Sequence, residues 1–205
     1  MSNLIIKKLS SEECLAISQQ TFQVYLQQYN FDYEAILALV KEKFKHITFA
    51  GFHQNILSST ITVFPFLSGN AFPSSVLFDF EIDGLIPDGV KVIELGRLAK
   101  FSSETNLKDS LLETFWLLHS AWEYSVDNKV EYWVATLHPI VRILIQKHLG
   151  FELRIIQSGI PVFSKEKQKI ANSMGTYYSK GLDFVYISIN EINIAVKRNL
   201  KNRLL

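Results

Sequence analysis

The sequence predicts an α/β fold, and three observations carry that expectation. Strand-like and helix-like hydrophobic patterns alternate along the whole chain. The length, 205 residues, allows a substantial core, and no repeat, low-complexity tract or linker interrupts it, so one domain over 1–205 is expected. Hydrophobic residues make up 48% and charged residues 20%, a globular balance that excludes a disordered or fibrous chain.

The elements follow in order. Leu4–Leu9 reads as a short strand. Ser10 or Ser11 then caps a helix to about Gln28, with Glu13 completing a capping box and Leu15, Ile17, Phe22, Tyr25 and Leu26 at helical spacing. Cys14, on this helix among apolar neighbours, is expected to be buried and inert. A second helix is expected over Tyr33–Phe44. Ile47–Phe52 and Ile56–Phe66, joined by the polar turn His53–Asn55, predict a hairpin, and Ser68–Ser75 a loop. Val90–Phe101 is a strand and Ser102–Asn106 a polar turn. A long amphipathic helix then runs to about Val126, with Leu107, Leu111, Phe115, Leu118 and Trp122 on one stripe. Glu131–Leu137 is a strand. Pro139–Leu149 is a helix opened by proline and stopped by Gly150. Leu153–Ile156 and Phe184–Ile189 are strands around a mixed segment, Ser164–Lys180. The tail from about Glu191 to Leu205 is helical and basic; a solvated terminal helix is favoured over a carrier-protein or membrane contact.

Charge and composition exclude several functions. A net charge of +1 gives no whole-molecule field for nucleic acid. One cysteine excludes an internal disulfide and a multi-thiolate zinc site, and no histidine cluster has metal-ligand spacing, so no metal is expected. No apolar run is long enough to span a bilayer and the polar start is no signal peptide; a soluble, cytoplasmic protein is expected. Fifteen Phe, eight Tyr and three Trp suit a thick core or an apolar ligand tunnel, and composition does not separate the two.

Two motifs carry a family resemblance. The helix ending Leu149-Gly150-Phe151 and the strand Glu94-Leu95-Gly96-Arg97-Leu98-Ala99 are similar to features of the Gcn5-related N-acetyltransferase superfamily. The Glu-x-x-Arg strand resembles that of the autoinducer synthases and N-acyl amino acid synthases, over about Ile47 to Phe151. The resemblance implies a twisted mixed sheet, helices on both faces, and a splay between two central strands, here Val92–Phe101 and Tyr132–Leu137. The pantetheine arm of an acyl thioester would lie in the splay as a false strand, against backbone groups of Leu98, Ala99, Lys100 and Phe101. The chain departs from the homoserine-lactone synthases in having no Arg before Arg97 and no Trp before Trp116, which moves the expected acceptor towards an amino acid or other small amine. A tyrosine acid often found four residues before the closing glycine is here Gln146.

Glu94 and Arg97, three apart, would face opposite sides of a regular strand; a bulge at Gly96 would bring them together. The expected roles are then a general base for Glu94 and, for Arg97, either orientation of Glu94 or a clamp on an acceptor carboxylate. A structural ion pair is the plainer reading. His138, at the end of the second splayed strand, is either an acid to the leaving thiol, a pocket wall, or a loop histidine capping a turn. Direct transfer to an amine needs no enzyme nucleophile.

The donor expectation rests on a missing motif. Coenzyme A-dependent members of the superfamily carry a glycine-containing loop after the first splayed strand, whose N–H groups approach a pyrophosphate. The equivalent stretch, Phe101–Lys108, has no glycine, and Glu104 adds a negative charge. Ser102, Ser103 and Thr105 suit a single phosphate, and Lys100, Lys108, Arg142 and Lys147 suit an acidic surface. A long-chain acyl-carrier-protein thioester is therefore expected as co-substrate, with no cofactor bound. The alternatives are an acyl-coenzyme A donor, as in an N-acetyltransferase of a small amine or peptide, and a binding protein that keeps the fold without catalysis.

Overall fold

Gln54 and Asn55 both take left-handed backbone conformations, φ 51° and 66°, and this tight turn joins β2 (Ile47–His53) to β3 (Ile56–Leu67) as an antiparallel hairpin. The computed structural model describes residues 4–32, 45–67, 71–80, 82, 84–101 and 106–203. β1 (Leu4–Lys8) pairs with β2, and β4 (Lys91–Lys100) with β3. β5 (Tyr132–Leu137), β7 (Leu182–Ser188) and β6 (Arg154–Gly159) complete a seven-stranded sheet of order β1-β2-β3-β4-β5-β7-β6. Its β4–β5 pair is parallel and the other pairs antiparallel, so the expected mixed α/β sheet is what forms.

Helices cover both faces. α1 (Ser11–Tyr29) starts from Ser10 with the predicted capping box to Glu13. Its capped start was legible, but its stripe is not fully covered: Leu15 and Leu26 are exposed and Cys14 is partly exposed rather than buried. The helix expected over 33–44 lies outside the described residues. Of the expected loop Ser68–Ser75, residues 68–70 lie outside the described residues, and the last three are helical because Pro73 opens a short helix, α2 (Pro73–Phe78). Then come α3 (Leu107–Asp127, capped by Asn106), α4 (Pro139–Leu149, ended by Gly150 at φ 66°), α5 (Gln168–Ser173) after a 3₁₀ turn, and α6 (Ile189–Arg203).

Strand alternation sorts the core into two halves. Ile93, Leu95, Trp133 and Ala135 point to the α3–α6 side, with Phe115, Leu117, Ile192 and Val196. Val92 and Val134 point to the other side, with Phe64, Phe72, Phe80 and Phe184. The basic tail is not a solvated appendage. Its α6 helix buries Ile192, Ala195 and Val196, and the Arg198 guanidinium donates to the Gly150 carbonyl at the end of α4.

A buried polar cluster ties α3 to the hairpin. The Glu113 carboxylate, 1% exposed, accepts from the hydroxyls of Ser58 and Ser59 (2.6 Å for the latter) and lies 3.4 Å from the Lys100 ammonium. Gly51 makes this possible: a Cβ there would stand 2.8 Å from Ser59 Oγ and 2.9 Å from Glu113 Oε1. Gly51→Ala is accordingly expected to cost about 1–3 kcal/mol through forced displacement of these groups. Urea unfolding would show it, and an unshifted midpoint would mean that the cluster relaxes freely.

Candidate active site

Pairing between β4 and β5 runs from Val92–Tyr132 to Leu95–Ala135 and stops there. Beyond it β4 follows β3, while β5 follows β7 to its end. The two strands part, as the resemblance implied, and a cavity of about 340 Å³ opens between them. Leu98, Ala99 and Lys100 of β4 line one wall, and Leu137 and His138 the other. Apolar residues of α3 and α4, among them Leu111, Leu118, Val141 and Ile145, close the depth. Phe101, expected among the donor contacts, gives its N–H to the Ser58 carbonyl and continues the β3–β4 ladder. Ser102, Ser103 and Thr105 lie outside the described residues, as does Glu104.

The expected bulge is present but shifted by one residue. Thr60 pairs with Ala99 and Thr62 with Gly96, leaving an extra residue on β4. Arg97, not Gly96, takes the left-handed conformation, φ 50°. Gly96 serves by its size: a Cβ would lie 3.3 Å from the Phe64 ring. An αL arginine is uncommon and costs roughly 1–2 kcal/mol, the kind of local strain that gathers at functional sites. The result is that Glu94 and Arg97 line the same second cavity, about 100 Å³, on the Phe64 side of the sheet. The guanidinium carbon stands 5.1 Å from the centre of the Phe64 ring.

Glu94 is 4% exposed, and both its oxygens are held by Ser74 at the start of α2. The backbone N–H donates to Oε2 at 3.0 Å and the hydroxyl to Oε1 at 2.5 Å. Burial raises the carboxyl pKa from 4.5 to about 7, against the opposing effect of the two Ser74 hydrogen bonds. A carboxyl so tuned can take up or give back a proton near neutral pH. Ser74 Oγ also hydrogen-bonds Thr136 Oγ1, at the first position of β5 past the last β4 pair.

His138 holds the N-cap position of α4 but makes no capping hydrogen bond with its side chain. Its ring stacks on Tyr29 (5.7 Å between centroids) and meets Tyr177 edge-on at 5.0 Å. Burial and Lys180 lower its pKa, against a backbone hydrogen bond at Gly181, and its Nε2 is buried without a hydrogen-bond partner. A neutral ring at pH 7 follows. Tyr177 lines both cavities, and burial, Tyr29 and Glu94 raise its pKa.

Sequence reasoning missed Ser74, Thr136 and Tyr177. Proline before Ser74 was a helix-start signal that the loop reading passed over, and nothing local marks Thr136 or Tyr177. Two of the four cations expected to meet an acidic surface are engaged inside the molecule. Lys100 pairs with Glu113, and Arg142 donates to buried Asp183 at 2.6 Å and to Gln146. Lys108 and Lys147 are exposed. Among the described residues, no group of three or more histidine, cysteine, aspartate or glutamate side chains could hold a metal. No described helix is long and apolar enough to cross a membrane.

No protein-family model matches the sequence, and no curated protein matches it either. Solved structures do. FeeM, an N-acyl amino acid synthase from uncultured soil microbes, is 15% identical over 93% of each chain, with a TM-score of 0.66. The AHL synthase LasI is 13% identical over 96% of this chain and 95% of its own, at 0.64. The C-terminal condensation domain of Ebony, solved with beta-alanyl-dopamine, is 10% identical over 92% and 100%, at 0.63. At these identities the likeness is one of fold alone: the chain shares its fold with these proteins.

Proposed function

We propose that this protein is an N-acyltransferase that moves an acyl group from a pantetheine thioester to the amine of an amino acid or similar small molecule. One observation carries the reading. A buried carboxyl with a pKa near 7 lines the smaller of two cavities that meet where β4 and β5 part, the larger being apolar and about 340 Å³, and Arg97 lines both. The larger cavity suits the acyl thioester, with β4 offering backbone groups along Leu98–Lys100. The smaller suits the acceptor, whose carboxylate the Arg97 guanidinium can meet in a bidentate contact.

Glu94 takes the proton from the attacking amine, and the acyl group passes directly from sulfur to nitrogen with no acyl-enzyme. His138, its pKa lowered by burial and its Nε2 buried, serves as a wall of the larger cavity rather than as a cationic acid. All these steps belong to a single domain over 1–205 acting in the cytoplasm, where acyl thioesters are made.

The donor is an acyl-carrier protein bearing a long chain. The apolar depth of the larger cavity supports the chain, and the glycine-free stretch 101–108 supports a single phosphate over a pyrophosphate. Lys108 and Lys147 are the exposed cations that would meet the carrier's acidic surface. The test compares kcat/KM for one acyl chain on carrier protein and on coenzyme A, with mass spectrometry of the product naming the acceptor. A preference for the carrier of about tenfold or more is expected, near 1.4 kcal/mol of differential binding. Equal or better use of the coenzyme A thioester would overturn the carrier assignment and leave the acyltransferase reading standing. No transfer from either donor would overturn both.

A further inference from the structure

Glu94 is 4% exposed, whereas the bond to be broken would lie where β4 and β5 part, and the residue at that point is Thr136. Thr136 lines both cavities. Its Oγ1 hydrogen-bonds Ser74 Oγ, which in turn donates to Glu94 Oε1 at 2.5 Å. Three oxygens thus form a continuous hydrogen-bonded chain from the meeting point of the cavities to the buried carboxyl.

Hydrogen counting fixes the direction of that chain. A serine hydroxyl has one hydrogen. When Glu94 is ionised, that hydrogen is committed to the carboxylate, so Thr136 must donate to Ser74. Thr136 Oγ1 then keeps its lone pairs to accept from a substrate in the cavities that Thr136 lines. When Glu94 is protonated, the chain can reverse, and Thr136 turns its own hydrogen outward.

We propose that Thr136 and Ser74 relay the proton between the acceptor amine and Glu94, Thr136 being the group that touches the substrate and Ser74 the link behind it. The inference rests on the acyl-transfer reading above. As the amine nitrogen bonds to the thioester carbonyl carbon, its proton passes to Thr136 Oγ1. The Thr136 proton moves to Ser74 Oγ and the Ser74 proton to Glu94 Oε1. Collapse of the tetrahedral intermediate breaks the C–S bond. The same chain, run in reverse, returns the proton to the leaving thiolate, so amide and free thiol form with no net change in the protein. A separate acid for the leaving thiolate is then unnecessary.

The experiment uses the full chain with Ser74→Ala, Thr136→Val, Thr136→Ser and the Ser74→Ala/Thr136→Val double variant, each checked for fold by circular dichroism. Thr136→Val is expected to lower kcat by about 10²-fold with donor KM changed less than about threefold, and Thr136→Ser to stay within about threefold of wild type. The double variant should be no slower than the slower single one, because a chain is broken once. A Thr136→Val enzyme within threefold of wild type, or multiplicative losses in the double variant, would overturn the relay.

A second readout needs no turnover. In substrate-free protein with ¹³C-labelled glutamate carboxyls, the Glu94 titration should move upward in Ser74→Ala, on the order of one pH unit, and by a smaller amount in Thr136→Val. If wild type transfers no acyl group while these shifts appear, the function fails and the chain of hydrogen bonds survives. If Glu94 titrates identically in all variants, the relay fails whatever the activity.

Discussion

Glu94→Gln is expected to lower kcat/KM by about 10²–10⁴-fold, the range spanned by loss of a positioned general base. The substitution suits the site sterically. The amide oxygen can accept from the Ser74 backbone N–H, and the Ser74 hydroxyl can turn to accept from the amide nitrogen. What is lost is the capacity to take a proton. The pH dependence has a definite sign: a base must be ionised, so wild-type kcat/KM should rise with pH through about 7, where the Glu94 carboxyl gives up its proton. The variant's residual rate should lack that limb. Steady-state rates between pH 5.5 and 8.5 test both statements. A variant that keeps its circular dichroism spectrum and loses less than threefold would remove Glu94 from the chemistry.

The parts of this site that were legible in the sequence are those where one short segment encodes the geometry. Glu94, Arg97 and a glycine within four residues announced a bulged strand, and Pro139 with Gly150 bounded α4 to the residue. The bulge was read onto Gly96 because glycine is the ordinary residue at positive φ. The structure instead puts Arg97 there and uses Gly96 to clear the Phe64 ring, a neighbour from another strand that the local sequence does not show. Thr136 looks like any strand threonine, and its importance comes from where β4 leaves β5, 41 residues upstream of it at Leu95. Arg142 illustrates the converse. A cation on an amphipathic helix reads as surface charge, yet Asp183 from β7, itself 1% exposed, holds it against the fold. Cys14 and Leu15 fail for a related reason: helical periodicity announces a face, not what covers it.

The same Glu94→Gln change should act on stability with the opposite sign to its effect on activity. Folding carries the carboxyl from about 4.5 to about 7, a gap worth roughly 3 kcal/mol at about 1.4 kcal/mol per pH unit. The folded state therefore holds a proton that the unfolded chain releases between these values. The stabilisation is complete below pH 4.5, declines as pH rises, and is gone above about 7. Glutamine carries no such proton, so the variant should not share that decline. Urea unfolding of both proteins at pH 5 and pH 8 isolates the effect, because carboxyls common to the two, such as Glu13 and Glu191, cancel in the difference. The difference in unfolding free energy should move in the variant's favour by roughly 2–3 kcal/mol between these pH values. Parallel curves would show that Glu94 is ionised in the folded protein well below neutrality, and the poised-base assignment would fall with it. A wild-type protein that loses stability relative to its glutamine variant as pH passes 7 carries at Glu94 a charge that folding alone would not select, which is the behaviour expected of a residue kept for its chemistry.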